Sequence, residues 1–257
     1  MTTLRHTALL TSRQLRAFSR QPAYLMMNIV NPIIWLLLFG RLFTSVAKLP
    51  GFSGGGYLAF LTPGIVMMMA MSAASWAGTS FIDDMQTGVM DRFLTSPTRR
   101  AALVAATMLH QSVLSVLQTL IVLVVAWLSG VRLGGGPAGV ALLLLSAILL
   151  TFVVAAFSNA VALTAREQSA LIGISQMLMF PLMFLSSALM DTSLSPGWIR
   201  AIARFNPFEW AVAAGRGALQ ADPDWASVWG RLGLLAGLGV AMTWLATWAF
   251  GAYQRSA

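Results

Sequence analysis

The sequence contains no cysteine, a single lysine and only 9% charged residues. Without cysteine there is no disulfide and no thiolate metal site, although this absence says little about compartment. A soluble domain carries about 25% charged residues. The charge here is too sparse to solvate a surface around a chain that is 58% hydrophobic. Water-soluble enzyme, disordered tail and fibrous protein are all excluded. The lone lysine, Lys48, follows Ala47, so the Gly-Lys-Ser/Thr core of a P-loop is missing. Only His6 and His110 are available as histidine bases or ligands, and no H-E-x-x-H run occurs. Neither a Ser–His pair nor a clustered metal site is expected. The sequence therefore offers no catalytic residue and no metal ligand.

What is present is apolar and long. Six apolar blocks run over 22–43, 57–81, 101–129, 137–163, 170–190 and 228–250. Each is near or above the roughly 20 residues that cross a bilayer as a helix. The expected fold class is therefore an all-α polytopic membrane protein, a single transmembrane domain over 1–257. An even number of spans puts both termini on one side. With the N-terminus inside, nine basic residues fall on inner segments and seven on outer ones. Around the first span the ratio is four (Arg5, Arg13, Arg16, Arg20) to two (Arg41, Lys48). The positive-inside rule then predicts both termini cytoplasmic. The net charge of +8 is read as topological, because a nucleic-acid binder would group its basic residues on one face. The first apolar block exceeds the 7–15 residues of a signal-peptide core, so a retained anchor is expected.

Residues 1–21 gather Arg5, Arg13, Arg16 and Arg20 on one arc and Leu4, Ala8, Leu15 and Phe18 on another, with Leu9 breaking the pattern. This predicts a basic amphipathic helix lying on an anionic leaflet.

The span interiors hold no Asp, Glu, Lys or Arg; Arg41 and Arg231 lie within reach of an end. Intramembrane ionisable groups mark proton and ion coupling, so a proton-coupled transporter is disfavoured. His110, near the start of the third span, reads as an interhelical or interfacial side chain. Asn28, Asn31, Gln111, Gln118, Asn159 and Gln176 are expected to join helices by hydrogen bonds. Pro181 predicts a kink in the fifth span. The run Met67-Met68-Met69-Ala70-Met71 suits core packing better than a cavity wall. Gly233 and Gly237 offer a small face for close helix approach.

Two polar segments are more than connectors. Over 82–100, Val89, Met90, Phe93 and Leu94 recur at helical spacing beside Asp91 and Arg92, ended by Ser96-Pro97. That is a short amphipathic helix. Its periodicity fits a partner's groove and a membrane surface equally. Over 191–227, Trp198, Ile199, Ile202 and Phe205 are followed by a break at Asn206-Pro207 and a second apolar stretch, Phe208–Leu219, holding Glu209 and Arg216. Two short helices meeting at Asn-Pro predict a re-entrant helical hairpin before the last span. Broken backbone at membrane depth survives only inside protein or around a cavity. The hairpin reads either as an outer gate or as a surface cap.

At these two segments the chain resembles the ABC-2 type transporter permeases, in particular their daunorubicin-resistance-like drug export branch. The resemblance rests on Asp84-Met85-Gln86-Thr87-Gly88-Val89-Met90-Asp91-Arg92-Phe93 with Ser96-Pro97. On the outer side it rests on Asn206-Pro207-Phe208 and Ala214-Gly215-Arg216-Gly217-Ala218-Leu219. It extends to length, span number and the amphipathic N-terminus. It implies a coupling helix docking on a separate ABC ATPase subunit, with Asp84, Gly88, Met90, Asp91, Arg92, Phe93 and Pro97 as the contact region. It implies outer gate helices carrying Trp198, Asn206, Pro207, Glu209 and Arg216. It further implies a permease dimer (a homodimer is expected) with two ATPases in a bacterial plasma membrane. Mg-ATP would sit on the partner, with no cofactor in this chain. The substrate class implied is a small amphipathic drug or lipid, with lipid-linked polysaccharide or glycolipid as the alternative.

Overall fold

The computed structural model describes residues 22–42, 56–90, 100–132, 134–189 and 196–256. Among these there are nine helices and no strand: α1 (Pro22–Leu42), α2 (Tyr57–Ser75), α3 (Thr79–Gln86), α4 (Arg100–Leu128), α5 (Gly136–Ala165), α6 (Gln168–Phe184), α7 (Gly197–Ala203), α8 (Pro207–Ala218) and α9 (Trp225–Ser256). The amphipathic stretch expected over 1–21 lies outside the described residues, as do Asp91, Arg92, Phe93 and Pro97 of the inner segment.

Among the described residues, four helical stretches are long and apolar enough to cross a membrane: Tyr57–Gln86 (α2 with α3), Leu103–Leu128, Gly136–Ala165 and Trp225–Tyr253. The first block forms α1, whose 21 residues rise about 31 Å, and the fifth forms the shorter α6, Gln168–Phe184. The seventeen residues of α6 rise only about 25 Å, less than the roughly 30 Å of a hydrocarbon core. The sequence predicts a fifth span reaching residue 190. Instead α6 runs through Pro181 and ends at Phe184. Beyond it, Ser186 Oγ donates back to Met183 O, and Ser187 is used for contacts to α8 rather than for another turn.

Helix α5 is central and packs on α9, α8, α2 and α4. Its residues are apolar on every side, with no polar stripe, as a helix surrounded by others requires. Helix α2 is buried along nearly its whole length. The Met67–Met71 run lies inside the core at 6% exposure or less, as packing requires. Asn159 Nδ2 on α5 donates to Thr107 Oγ1 on α4 at 2.8 Å, one of the interhelical bonds expected. His110 is the eleventh residue of α4, about 15 Å from its start, and half-buried. At Gly233 and Gly237 an added Cβ would meet open space, so their small face is left uncovered by the described chain. The close approach occurs elsewhere: a Cβ at Gly135 or Gly139 of the α5 start would collide with the Ala218 carbonyl that ends α8. There Gly135 N donates to Leu219 O at 3.0 Å.

The second apolar block is broken. Helix α2 stops at Ser75, Trp76–Gly78 turn, and α3 continues the chain. Ser158 of α5 stitches the break: its Oγ accepts from Gly78 N at 3.0 Å and donates to Ser75 O at 2.6 Å.

Candidate functional site

Helix α8 has twelve residues, about 18 Å, too short to cross a bilayer. Its buried positions Phe208, Ala211, Val212, Ala214, Gly215 and Ala218 follow helical spacing, so one face is pressed into the bundle. A Cβ at Gly215 would lie 2.5 Å from Leu143 Cδ1 and 3.2 Å from Met67 Cε. The helix is thus wedged between α2 and α5. Its ends touch the last turn of α6 and the first turn of α5, which lie at the same end of the bundle.

Asn206 starts α8 and does two jobs. Its Oδ1 accepts from Phe208 N at 2.9 Å, a side-chain cap for an otherwise orphaned donor. Its Nδ2 donates to Leu182 O at 2.6 Å and Leu185 O at 3.0 Å. Those are carbonyls at the end of α6, where helical donors run out. Pro207 follows at the first helical position, where a missing N–H costs nothing. One amide side chain therefore finishes one helix and begins another.

Two turns of α8 separate Glu209 from Arg216, and both reach Ser187 in the link after α6. Ser187 N donates to Glu209 Oε2 at 2.5 Å, and Ser187 Oγ donates to Oε1 at 2.9 Å. Arg216 Nη1 donates to Ser187 Oγ at 2.9 Å, and Nη2 to Ser187 O at 2.8 Å and Phe60 O at 3.2 Å. The guanidinium carbon sits 3.7 Å from the centre of the Phe60 ring of α2, a cation–π contact. Burial pushes the Glu209 carboxyl, in the link between α6 and α9, above its usual range; its Ser187 bonds and the charges of Arg216 and Arg231 act in the other direction. The α6–α7 link is held from the other side too. Tyr57 Oη donates to Leu189 O at 3.0 Å, and a Cβ at Gly64 would collide with the Ala188 carbonyl. A charged pair separated by one serine thus clamps this link between α2 and α8.

Trp198 on α7 takes no part in the clamp and is 61% exposed, in company with Ile202 and Phe205. An indole on an exposed apolar ridge suits a membrane–water boundary. Trp210 Nε1 donates to Arg204 O at 2.7 Å, which ties α8 back to α7.

At the opposite end, α3 ends at a left-handed Gly88 with φ +69°. A Cβ there would meet open space, so glycine is needed for its backbone and not for room. Helical backbone resumes at Val89 and Met90. Met90 is 1% exposed and packs with Phe81, Leu103, Val104 and Phe250. It anchors the segment to the bundle, while Asp83, Gln86 and Thr87 are exposed and Asp84 is half-buried.

Sequence reasoning singles out Asn206, Glu209 and Arg216 but misses Ser187, Phe60 and Ser158. The doublet Ser186-Ser187 inside an apolar block is the available signal, and nothing local distinguishes Phe60 or Ser158 from neighbouring residues.

Comparison with known proteins agrees with this layout. A family model described as ABC-2 type transporter matches residues 5–219. The chain is 31% identical over 204 residues to the daunorubicin resistance ABC transporter permease protein DrrB1 of Streptomyces coeruleorubidus, covering 79% of this chain and 71% of that one. It is 27% identical over 210 residues to the putative transport permease ycf38 of Porphyra purpurea, covering 80% and 70% respectively. It is 23% identical over 232 residues to the probable doxorubicin resistance ABC transporter permease protein DrrC of Mycobacterium tuberculosis, covering 90% and 83%. A multi-pass helical chain matched by that model over most of its length belongs to the ABC-2 type transporter family of membrane permeases.

Proposed function

We propose that this chain is the permease subunit of an ATP-driven exporter that moves an amphipathic drug or lipid-like substrate outward across a bacterial plasma membrane. The chain spans six times, with α6 as the shortest crossing and both termini cytoplasmic. Two copies pair as a homodimer and carry two ATPase subunits, which bind Mg-ATP. The observation that carries this reading is family membership joined to a sequence with no P-loop and no charged residue in the span interiors. Such a permease takes its energy from a partner, because it has neither a nucleotide site nor an ion-coupling group of its own.

In this reading the partner docks on the segment from Asp84 to Pro97, including Gly88, Asp91, Arg92 and Phe93. Motion there reaches the spans through α3 and its junction with α2. The clamp on Ser187 acts as the outer latch: with Glu209 and Arg216 engaged, α8 and the α6–α7 link close the outer mouth. Outward opening separates them. The bonds that hold the latch support this reading because they cross between elements and can be broken without unfolding either one.

The test is co-purification of the permease with an ATPase from its own host, followed by ATP hydrolysis assays in liposomes. Hydrolysis is expected to rise on addition of amphipathic substrates. Substrate accumulation driven by a proton gradient with no ATPase present would overturn the proposal.

A further inference from the structure

Away from the clamp, α1, α2 and α4 border a niche of about 130 Å³, lined by Met27, Asn31, Met69, Ser72, Trp76 and Gln118 among others. Its volume is close to the roughly 150 Å³ cavity that accommodates a benzene ring. Asn31 falls in the middle of α1. Asn31 Nδ2 contacts Met69 Sδ across the niche at 3.9 Å, which places both at the same depth. Asn31 and Ser72 are exposed, and Trp76 is 43% exposed and Met27 71%. The surrounding exposed residues on the same helices are apolar: Val30, Ile34, Leu117 and Leu120.

This is a polar island in an apolar band. Hydrocarbon offers an exposed amide or hydroxyl no partner, and each such group costs free energy when left dry. The thioether that Asn31 touches is only a weak acceptor. Among the described residues no charged side chain lines the niche, so an ionic ligand would be buried without a counter-charge, at heavy cost. The rest of the wall is Pro32, Ala73, an indole and two thioethers; the last three favour a flat ring, Trp by stacking and Met by sulfur–aromatic contact.

We infer that this niche is a lateral binding site, entered from the lipid, for one neutral ring bearing hydrogen-bonding oxygen groups. Asn31, Ser72 and Gln118 bind the oxygens; Trp76, Met27 and Met69 hold the ring. The remainder of a larger amphipathic molecule lies along the α1–α4 groove. The inference rests on the export reading only for the site's purpose as a point of substrate entry; binding itself is independent of it.

The probe is 4-hydroxybenzophenone, a neutral hydroxylated ring system whose excited ketone inserts at methionine. The full-length permease in lipid nanodiscs is irradiated with it and the adducts are mapped by peptide mass spectrometry. Adducts are expected at Met27 and Met69 in preference to Met26 and Met177, which are exposed but do not line the niche. Asn31→Leu, a lipid-compatible change at an exposed position, is expected to cut that niche labelling about fivefold, the worth of one net hydrogen bond. Unsubstituted benzophenone is expected to show no such dependence. Labelling spread over Met26 and Met177, or unaltered by both Asn31→Leu and Ser72→Ala, overturns the site. So does protection of Met27 and Met69 by contact with a second copy, read as a disulfide between Asn31→Cys chains. Niche labelling without substrate-stimulated ATP hydrolysis leaves the site standing and removes the export reading. Stimulated hydrolysis without niche labelling does the reverse.

Discussion

Gly78 donates its backbone N–H to the hydroxyl of Ser158, 80 residues away, at 3.0 Å. The same hydroxyl donates to the carbonyl of Ser75, so one α5 side chain holds both edges of the break between α2 and α3. The segment proposed to dock the partner begins just beyond this break, in α3.

Ser158→Ala leaves a buried donor and a buried acceptor without their partner and is expected to destabilise the protein by about 1–3 kcal/mol. Gly78→Ala should cost more, because its Cβ would stand 2.5 Å from the Ser158 carbonyl oxygen and 2.9 Å from that carbonyl's carbon, and backbone cannot be displaced cheaply. Thermal unfolding of the detergent-solubilised protein ranks the two. An equal or reversed ranking would show that the junction tolerates separation.

The clamp makes a prediction about additivity. Arg216→Met and Glu209→Gln both act on Ser187, so their combined effect on stability should fall short of the sum by about 0.5–3 kcal/mol. Arg216→Lys should not rescue, since a point charge cannot reach the hydroxyl, two carbonyls and a ring face together. A double-mutant cycle on unfolding midpoints measures the coupling; strict additivity removes the clamp.

Accessibility tests the latch directly. With Glu209→Cys in an otherwise cysteine-free chain, an impermeant maleimide added from outside is expected to react faster when the partner ATPase is loaded with ATP. Labelling that is absent in every nucleotide state counts against an outer gate here.

Asn206 separates capping from bridging. Asn206→Asp keeps the oxygen that accepts from Phe208 but loses the amide that donates to Leu182 and Leu185. It also sets a carboxylate against two carbonyl oxygens. Asn206→Asp is therefore expected to be at least as damaging as Asn206→Ala, each costing about 2 kcal/mol. If Asp were tolerated as well as Asn, the cap alone would matter.

Docking is tested at residues outside the described chain. Asp91→Lys and Arg92→Glu are expected to weaken ATPase co-purification while membrane insertion is unchanged. Undiminished association in both variants would move the coupling contact elsewhere.

Much of this protein is written in its local sequence. The apolar blocks announce themselves because burying backbone in lipid leaves the helix as the simplest solution; α4 and α5 begin and end within two residues of the apolar blocks 101–129 and 137–163, while α9 overruns 228–250 by three residues at its start and six at its end. The Asn206-Pro207 break is legible for a similar reason: proline at the first turn and asparagine before it are local signals of a helix start. Glu209 and Arg216 stand out as charges in an apolar stretch.

What the chain's tertiary structure decided is where those charges go. Their meeting point, Ser187, lies 22 and 29 residues away, and Phe60 is 156 residues from Arg216. Such distances leave no periodic trace. The early end of α6, the stitched break at Gly78 and the inward turn of Met90 are likewise set by neighbours from other helices. By itself the scarcity of charge determined that this chain belongs in a membrane. Which few polar groups face one another was settled only by packing, because a hydrogen bond between helices depends on their relative position and not on the order of residues in either.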